Sequence, residues 1–307
     1  MSQGEVSAAS FDADLPELPA NLELDLPGLF VAGRQVAPFG EPVALEVVQL
    51  GEVTSGSGVL TVRDFGYGDF GLAPLTRRLH AGTYRAEVSG TAGTNVALRL
   101  IVSEAPAVSW HPAELAGGSN IIGVDAGNVV ILDVATLARC EAEQVEELFQ
   151  EQSERLADCR GSVFSLTGEV NDAVIVTSGY GDGAYPCYWG VAEDGTITSL
   201  VVDFLVLAED KVRVVTVPWR PGTVNAPELA EHGLEVIANR GTFILTHRGD
   251  AFSKLRVLAP DGTVLMDGHH LSLTVTDDQH TQSWKPAAPP PPGSVLELTL
   301  HEGYRHT

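Results

Sequence analysis

From residue 43 onward, apolar and polar positions alternate with a period of two through much of the chain. Over residues 83–89, Tyr84, Ala86 and Val88 fall on one face; further on, Leu98, Leu100 and Val102 alternate with Arg99 and Ile101. Residues 43–50 and 58–63 are apolar and β-branched, and Gly, Pro, Asp and Ser separate these runs. Period-two runs bounded by turn formers predict half-buried antiparallel strands. Residues 121–125 and 129–133 continue the pattern, joined by a tight turn at Ala126-Gly127-Asn128. Residues 173–177, 187–192 and 196–207 are the next expected strands. Glu193-Asp194-Gly195 between the last two signals a hairpin, because Asp-Gly supplies the positive φ that a primed turn needs. The end of that run is apolar apart from Asp203, as expected of a central strand whose one carboxylate must be satisfied inside.

One segment changes period. Residues 135–158 contain no Pro or Gly, and Val145, Leu148, Phe149, Gln152 and Leu156 fall on one helical stripe. Glu141, Glu143, Glu146, Glu147, Glu151 and Glu154 take the other faces, and Gly161 lies just past the end. This predicts a single long amphipathic helix.

Past Glu209-Asp210-Lys211, short strands are expected at 212–217, 234–238, 242–246, 255–258, 263–266, 271–275 and 295–300, with a second hairpin at Pro260-Asp261-Gly262. That density predicts a small β-sandwich. Residues 286–292 are a polyproline spacer ahead of the last strand. Residues 1–40 carry Leu15-Pro16, Leu18-Pro19 and Leu26-Pro27, which predict an extended arm laying leucines on the body of the protein. The fold class is mainly β (α+β): an arm (1–40), an antiparallel β-rich domain with one long amphipathic helix (41–210), and a C-terminal β-sandwich module (211–307).

Composition narrows the partners. The chain has 307 residues with 41 acidic and 18 basic side chains, a formal net charge of −23. Such a field argues against nucleic acid and anionic membrane surfaces. No uninterrupted apolar run reaches the ~18 residues of a membrane span. Glu5, Asp12, Asp14, Glu17, Glu23 and Asp25 precede the first basic residue, Arg34, which is unlike a secretory signal. Three cysteines do not make a disulfide framework. Cys140 and Cys159, at the two ends of a continuous helix, would stand roughly 28 Å apart. The expected compartment is the cytoplasm.

The densest candidate segment is Ser178-Gly179-Tyr180-Gly181-Asp182-Gly183-Ala184-Tyr185-Pro186-Cys187-Tyr188-Trp189-Gly190. It reads in two ways. One is a rigid loop between core strands. The other is a binding surface made by Tyr180, Asp182, Tyr185, Tyr188 and Trp189, with flat rings carrying polar tips. Gly66-Tyr67-Gly68-Asp69 echoes its Gly179-Tyr180-Gly181-Asp182. Asp125, Asp182 and Asp203, with Asp133 nearby in the pattern, sit at or in expected core strands. Were they to converge, they would suit Ca²⁺ or another divalent cation, or acid–base work. Taken separately, each caps its own turn. Cys187 reads as a small buried hydrophobe rather than a nucleophile, and His306 as part of a fraying terminus. The functional expectation is a cytoplasmic binding protein for a protein or small-molecule ligand. The alternative is a divalent-cation-dependent hydrolase using Asp182 and Asp203.

Gly-Tyr-Gly-Asp-Gly-x-Tyr-Pro-x-Tyr-Trp-Gly at 179–190, the 193–195 turn and the strand after it resemble an uncharacterised bacterial family, domain-of-unknown-function family 4241. Ala81-Gly82-Thr83-Tyr84, Val108-Ser109-Trp110 and Gly123-Val124-Asp125-Ala126-Gly127 extend the resemblance over about residues 40–208. It implies a compact bacterial domain and no particular activity. Where the family has Asp-Pro after the early strand, this chain has Asp64-Phe65.

Overall fold

A computed structural model describes Leu18 and residues 23–38, 40–66, 73–219, 234–239, 242–248, 252–267, 272–276, 279–285 and 288–306. The expectations for Leu15-Pro16, Pro19, Tyr67-Gly68-Asp69, Leu271 and Pro286-Ala287 lie outside the described residues. The chain divides into two compact units, Met1–Glu209 with His306–Thr307, and Asp210–Arg305.

The first unit opens with a 3₁₀ turn, Pro27–Phe30, and a two-stranded ribbon of β1 (Gln35–Val36) and β2 (Val43–Ala44). There follow β3 (Glu46–Ser55), β4 (Leu60–Arg63), β5 (Gly82–Thr91), β6 (Thr94–Ile101), β7 (Ser109–Pro112), β8 (Ile121–Val124) and β9 (Asn128–Asp133). Helices α1 (Val134–Leu137) and α2 (Ala142–Leu156) come next, then β10 (Gly161–Phe164), β11 (Ala173–Thr177), β12 (Gly183–Val191) and β13 (Ile197–Asp203). A seven-stranded sheet runs β3-β5-β6-β13-β12-β7, with β8 paired to the other half of β12's outer edge; a four-stranded sheet runs β10-β11-β9-β4.

The period-two pattern explains how these layers stack. Every residue of β9 is buried, yet its side chains alternate between two cores. Val129 and Ile131, with Val174 and Val176 of β11, join the cluster that holds the two sheets together. Val130 and Leu132, with Ala173 and Ile175, join a second cluster that packs Val145, Leu148, Phe149 and Leu156 of α2 onto the outside of the four-stranded sheet. Consecutive residues point to opposite faces, so one strand with no polar side serves both layers.

The long helix is interrupted. Asp133 caps α1 through Thr136 N–H at 3.0 Å, and residues 138–141 form a turn before α2 starts. The tight turn at 126–128 also joins strands of different sheets, β8 and β9, rather than a hairpin. Both Asp-Gly hairpins form as expected, with Gly195 at φ +83° and Gly262 at φ +85°. Leu26, Leu29 and Phe30 of the arm are buried, and the Arg99 guanidinium lies 4.2 Å from the Phe30 ring centre.

The second unit holds β14 (Ala208–Pro218), β15 (Leu234–Asn239), β16 (Thr242–Arg248), β17 (Phe252–Leu258), β18 (Val264–Asp267), β19 (Ser272–Thr276), β20 (Gln279–Trp284) and β21 (Val295–His306). The ends of β14 and β21 extend into the first unit by the same division. These strands form two four-stranded sheets, β14-β21-β17-β18 and β15-β16-β20-β19. Strand β20 was not expected, being the polar run Gln-His-Thr-Gln-Ser-Trp; it is paired on both edges, by β16 and β19.

Candidate functional site

The glycine-rich segment is a short turn locked to the core. Gly181 N–H donates to Ser178 O at 2.6 Å, Ser178 Oγ donates to Gly181 O at 2.8 Å, and Tyr185 Oη donates to the same carbonyl at 2.8 Å. Gly179 (φ +30°) lies so close to the end of β13 that a Cβ there would come within 2.8 Å of Phe204 Cβ. Glycine is needed for both the angle and the approach. Ala at this position is expected to lower stability by about 1–3 kcal/mol through strain and crowding, a loss that thermal unfolding would register.

A second turn, 125–127, abuts the first. Asp64 holds it: its Oδ2 accepts Asp125 N–H at 2.5 Å and Ala126 N–H at 2.7 Å, while Oδ1 accepts Gly66 N–H at 2.8 Å. Phe65 N–H donates to Asn128 Oδ1 at 3.2 Å, a bond that a proline at this position could not make. A Cβ on Gly66 would meet Ala126 Cβ at 2.2 Å, and one on Gly127 would lie 3.8 Å from Gly181 Cα. Gly66 and Gly181 of the two echoed motifs therefore approach the same turn from opposite sequence positions. Asp64 as organiser was missed in sequence, where only its departure from the Asp-Pro pattern stood out.

The expected site residues separate. Tyr180 is 60% exposed at the turn's tip, and Asp182 and Asp125 are exposed on the two abutting turns. Tyr185, Tyr188 and Trp189 are instead core residues, because β12 is covered on both faces. Tyr185 packs edge-on against Phe204 with ring centres 5.4 Å apart, and burial pushes its phenol pKa up. Cys187 is fully buried, and burial pushes its thiol up as well, which suits a small hydrophobe. Asp203 is also internal. Its Oδ1 accepts Leu205 N–H at 2.9 Å and its Oδ2 meets His306 Nε2 at 2.8 Å, both side chains being 1% exposed. That engagement takes Asp203 out of any cation site shared with Asp125 and Asp182. Among the described residues, no three His, Cys, Asp or Glu side chains are placed to hold one metal ion.

Two more buried carboxylates lie at the other end of β9. Burial works to raise Asp133, but hydrogen bonds from Ser55, Ser57 and Thr136 outweigh it and hold the carboxyl below its ordinary range. Asp172 is pushed up, by burial first and by the charge of Asp133 as well, against a bond from Leu166 N–H at 2.8 Å, its own backbone N–H and the charge of Arg139. A raised folded-state pKa means that the charged form of Asp172 costs stability at neutral pH, recovered as pH falls towards the unfolded value of about 4. Asp172→Asn keeps an oxygen for Leu166 and drops the charge. It is expected to raise the thermal midpoint near neutral pH and to flatten its rise on acidification; a lowered midpoint would contradict the assignment.

The seven- and four-stranded sheets, α2 and the two paired turns all fall within β3 to β13. Residues 53–202 match the family described as protein of unknown function (DUF4241). The DUF4241 segment thus contains Asp64, Asp125, Tyr180 and Asp182, ends one residue before Asp203, and excludes the arm and His306. No curated protein and no solved structure matches the chain.

Proposed function

We propose that the protein is a binding module that docks a cationic side chain of a partner on the paired turns 125–127 and 178–183. The observation that carries this reading is the display of Tyr180: an aromatic ring, exposed on a turn locked by three hydrogen bonds, with the exposed carboxylates of Asp125 and Asp182 on the same two abutting turns. A ring face and two carboxylates suit an arginine or lysine through cation–π and ionic contact. A preorganised turn loses little entropy on binding. An organic cation fits better than Ca²⁺, which takes 6–8 oxygen ligands, since Asp203 is engaged elsewhere. Each contact at an exposed site is worth only about 0.5–1 kcal/mol, so a physiological partner must reach beyond this one group. The cytoplasmic setting is part of the same reading, supported by three free cysteines, Cys140, Cys159 and Cys187.

The test is an NMR titration of the whole chain with a short arginine-containing peptide. Shifts confined to residues 125–127 and 178–183, weakened roughly 2–5-fold by Tyr180→Ala, are the expected result. Shifts spread evenly over the acidic surface would contradict it.

A further inference from the structure

A separate feature lies on the face of the seven-stranded sheet that carries Arg99. Register places Ile101, Ser199, Gly190 and Trp110 in one row across β6, β13, β12 and β7. Gly190 has no side chain to fill its place in that row, and the Trp110 ring lies over it: a Cβ on Gly190 would come within 3.0 Å of Trp110 Cη2 and 2.5 Å of Ser199 Oγ. Beside this row the surface opens into a cleft of about 270 Å³, bounded by Trp110, Arg99, Ile101, Ser103, Ser199 and the arm's Pro27. Space of this size is near the lower bound of small-ligand pockets, roughly 300 Å³.

The charged group in the cleft is already fixed. Arg99 donates from Nε to Glu87 Oε1 at 2.7 Å, with a second short contact from Nη2, and Glu87 is buried. Phe30 backs the guanidinium. The ion pair leaves oriented N–H groups with little net charge, so the cleft does not attract an anion against a chain charge of −23. Ser103 Oγ is a buried hydroxyl with no partner among the described residues. Buried polar groups are nearly always paired, and an orphan carries a desolvation cost that a ligand can recover.

We propose that this cleft binds a small, planar, uncharged carbonyl compound, of the class of aromatic amides and nucleobases. Its ring lies against Trp110 and its carbonyl oxygen takes hydrogen bonds from the Arg99 guanidinium and from Ser103 Oγ–H, once that buried hydroxyl turns about χ1 into the cleft. The site is independent of the paired turns.

The probes are nicotinamide, benzamide, uracil and adenine at millimolar concentration, with the Trp110 indole N–H resonance of the whole chain as the readout. At least one probe is expected to shift that resonance saturably. Ser103→Ala should weaken the binding about 2–10-fold, the worth of one hydrogen bond, while leaving the thermal midpoint unchanged or higher, because it deletes an orphan hydroxyl. Trp110→Leu should weaken the same probe, read on the Ile101 methyl. No saturable shift with any of the four overturns the proposal. So does a shift that Ser103→Ala and Trp110→Leu leave unaltered.

Discussion

Replacing His306 by alanine is expected to destabilise the first unit by about 3–5 kcal/mol, the loss expected when a buried carboxylate, here Asp203, is left without its partner. The geometry defines the ring's state. Asp25 N–H donates to His306 Nδ1 at 2.9 Å, so Nδ1 is an acceptor, the ring is neutral, and its proton sits on Nε2, facing Asp203 Oδ2 at 2.8 Å. The contact is a charge-assisted hydrogen bond rather than a pair of opposite charges. His306 N–H also donates to Glu23 O at 3.1 Å. One residue thus ties the N-terminal segment and the end of β13 together. Alanine would leave a buried carboxylate with Leu205 N–H as its one remaining bond among those described. Urea unfolding of the whole chain measures the loss. The double variant Asp203→Ala/His306→Ala should fall short of the sum of the two single losses, because the single changes share one interaction. A loss below about 1 kcal/mol for His306→Ala would mean that the contact is not maintained.

Asp133→Ala is expected to cost a similar amount, about 3–5 kcal/mol, because several charge-assisted hydrogen bonds and a helix cap disappear together. Its Oδ2 accepts Ser55 Oγ at 2.5 Å, Ser57 Oγ at 2.7 Å and Ser57 N–H at 3.0 Å; its Oδ1 caps α1. Alanine leaves those donors in a nearly closed site, where each unpaired group costs about 1–3 kcal/mol. The same bonds set a pH dependence. A carboxyl held below its unfolded pKa of about 3.9 adds stability above that value, and loses it as pH falls through the folded-state pKa. Acid unfolding of Asp133→Ala should therefore be shallower below about pH 4 than that of the natural chain. Equal slopes would show that Asp133 is not held as the bonds indicate.

Much of the fold could be read from local pattern, because burial on a strand repeats every second residue. The alternation at 83–89 and 98–102, the two Asp-Gly hairpins and the stripe on α2 all have local causes. What failed had causes at long range or of a kind composition does not carry. Residues 138–141 contain neither Gly nor Pro, so the break between α1 and α2 has no breaker in the sequence; Asp133 fixes only where α1 begins. Tyr185, Tyr188 and Trp189 were expected at a surface because aromatic rings with polar tips serve interfaces and cores alike, and nothing local says that both faces of β12 are covered. The need to satisfy Asp203 was legible. Its partner, 103 residues away at an end expected to fray, was not. At the paired turns, the glycines and Asp182 were visible in the motif, whereas Asp64 acts through folding that brings residue 64 to residue 125.

The paired turns are most directly tested by a charge-matched comparison. Affinity for the arginine-containing peptide is measured in Asp125→Asn/Asp182→Asn and in Glu146→Gln/Glu147→Gln, two exposed acids on α2. Both variants lose two negative charges, so the overall field changes equally. Binding at the turns predicts that the first variant loses roughly 5–30-fold, from two contacts of about 0.5–1 kcal/mol each, while the second stays close to the natural chain. Equal losses in the two would mean that the peptide follows the general acidity of the surface, and would contradict a site at Tyr180.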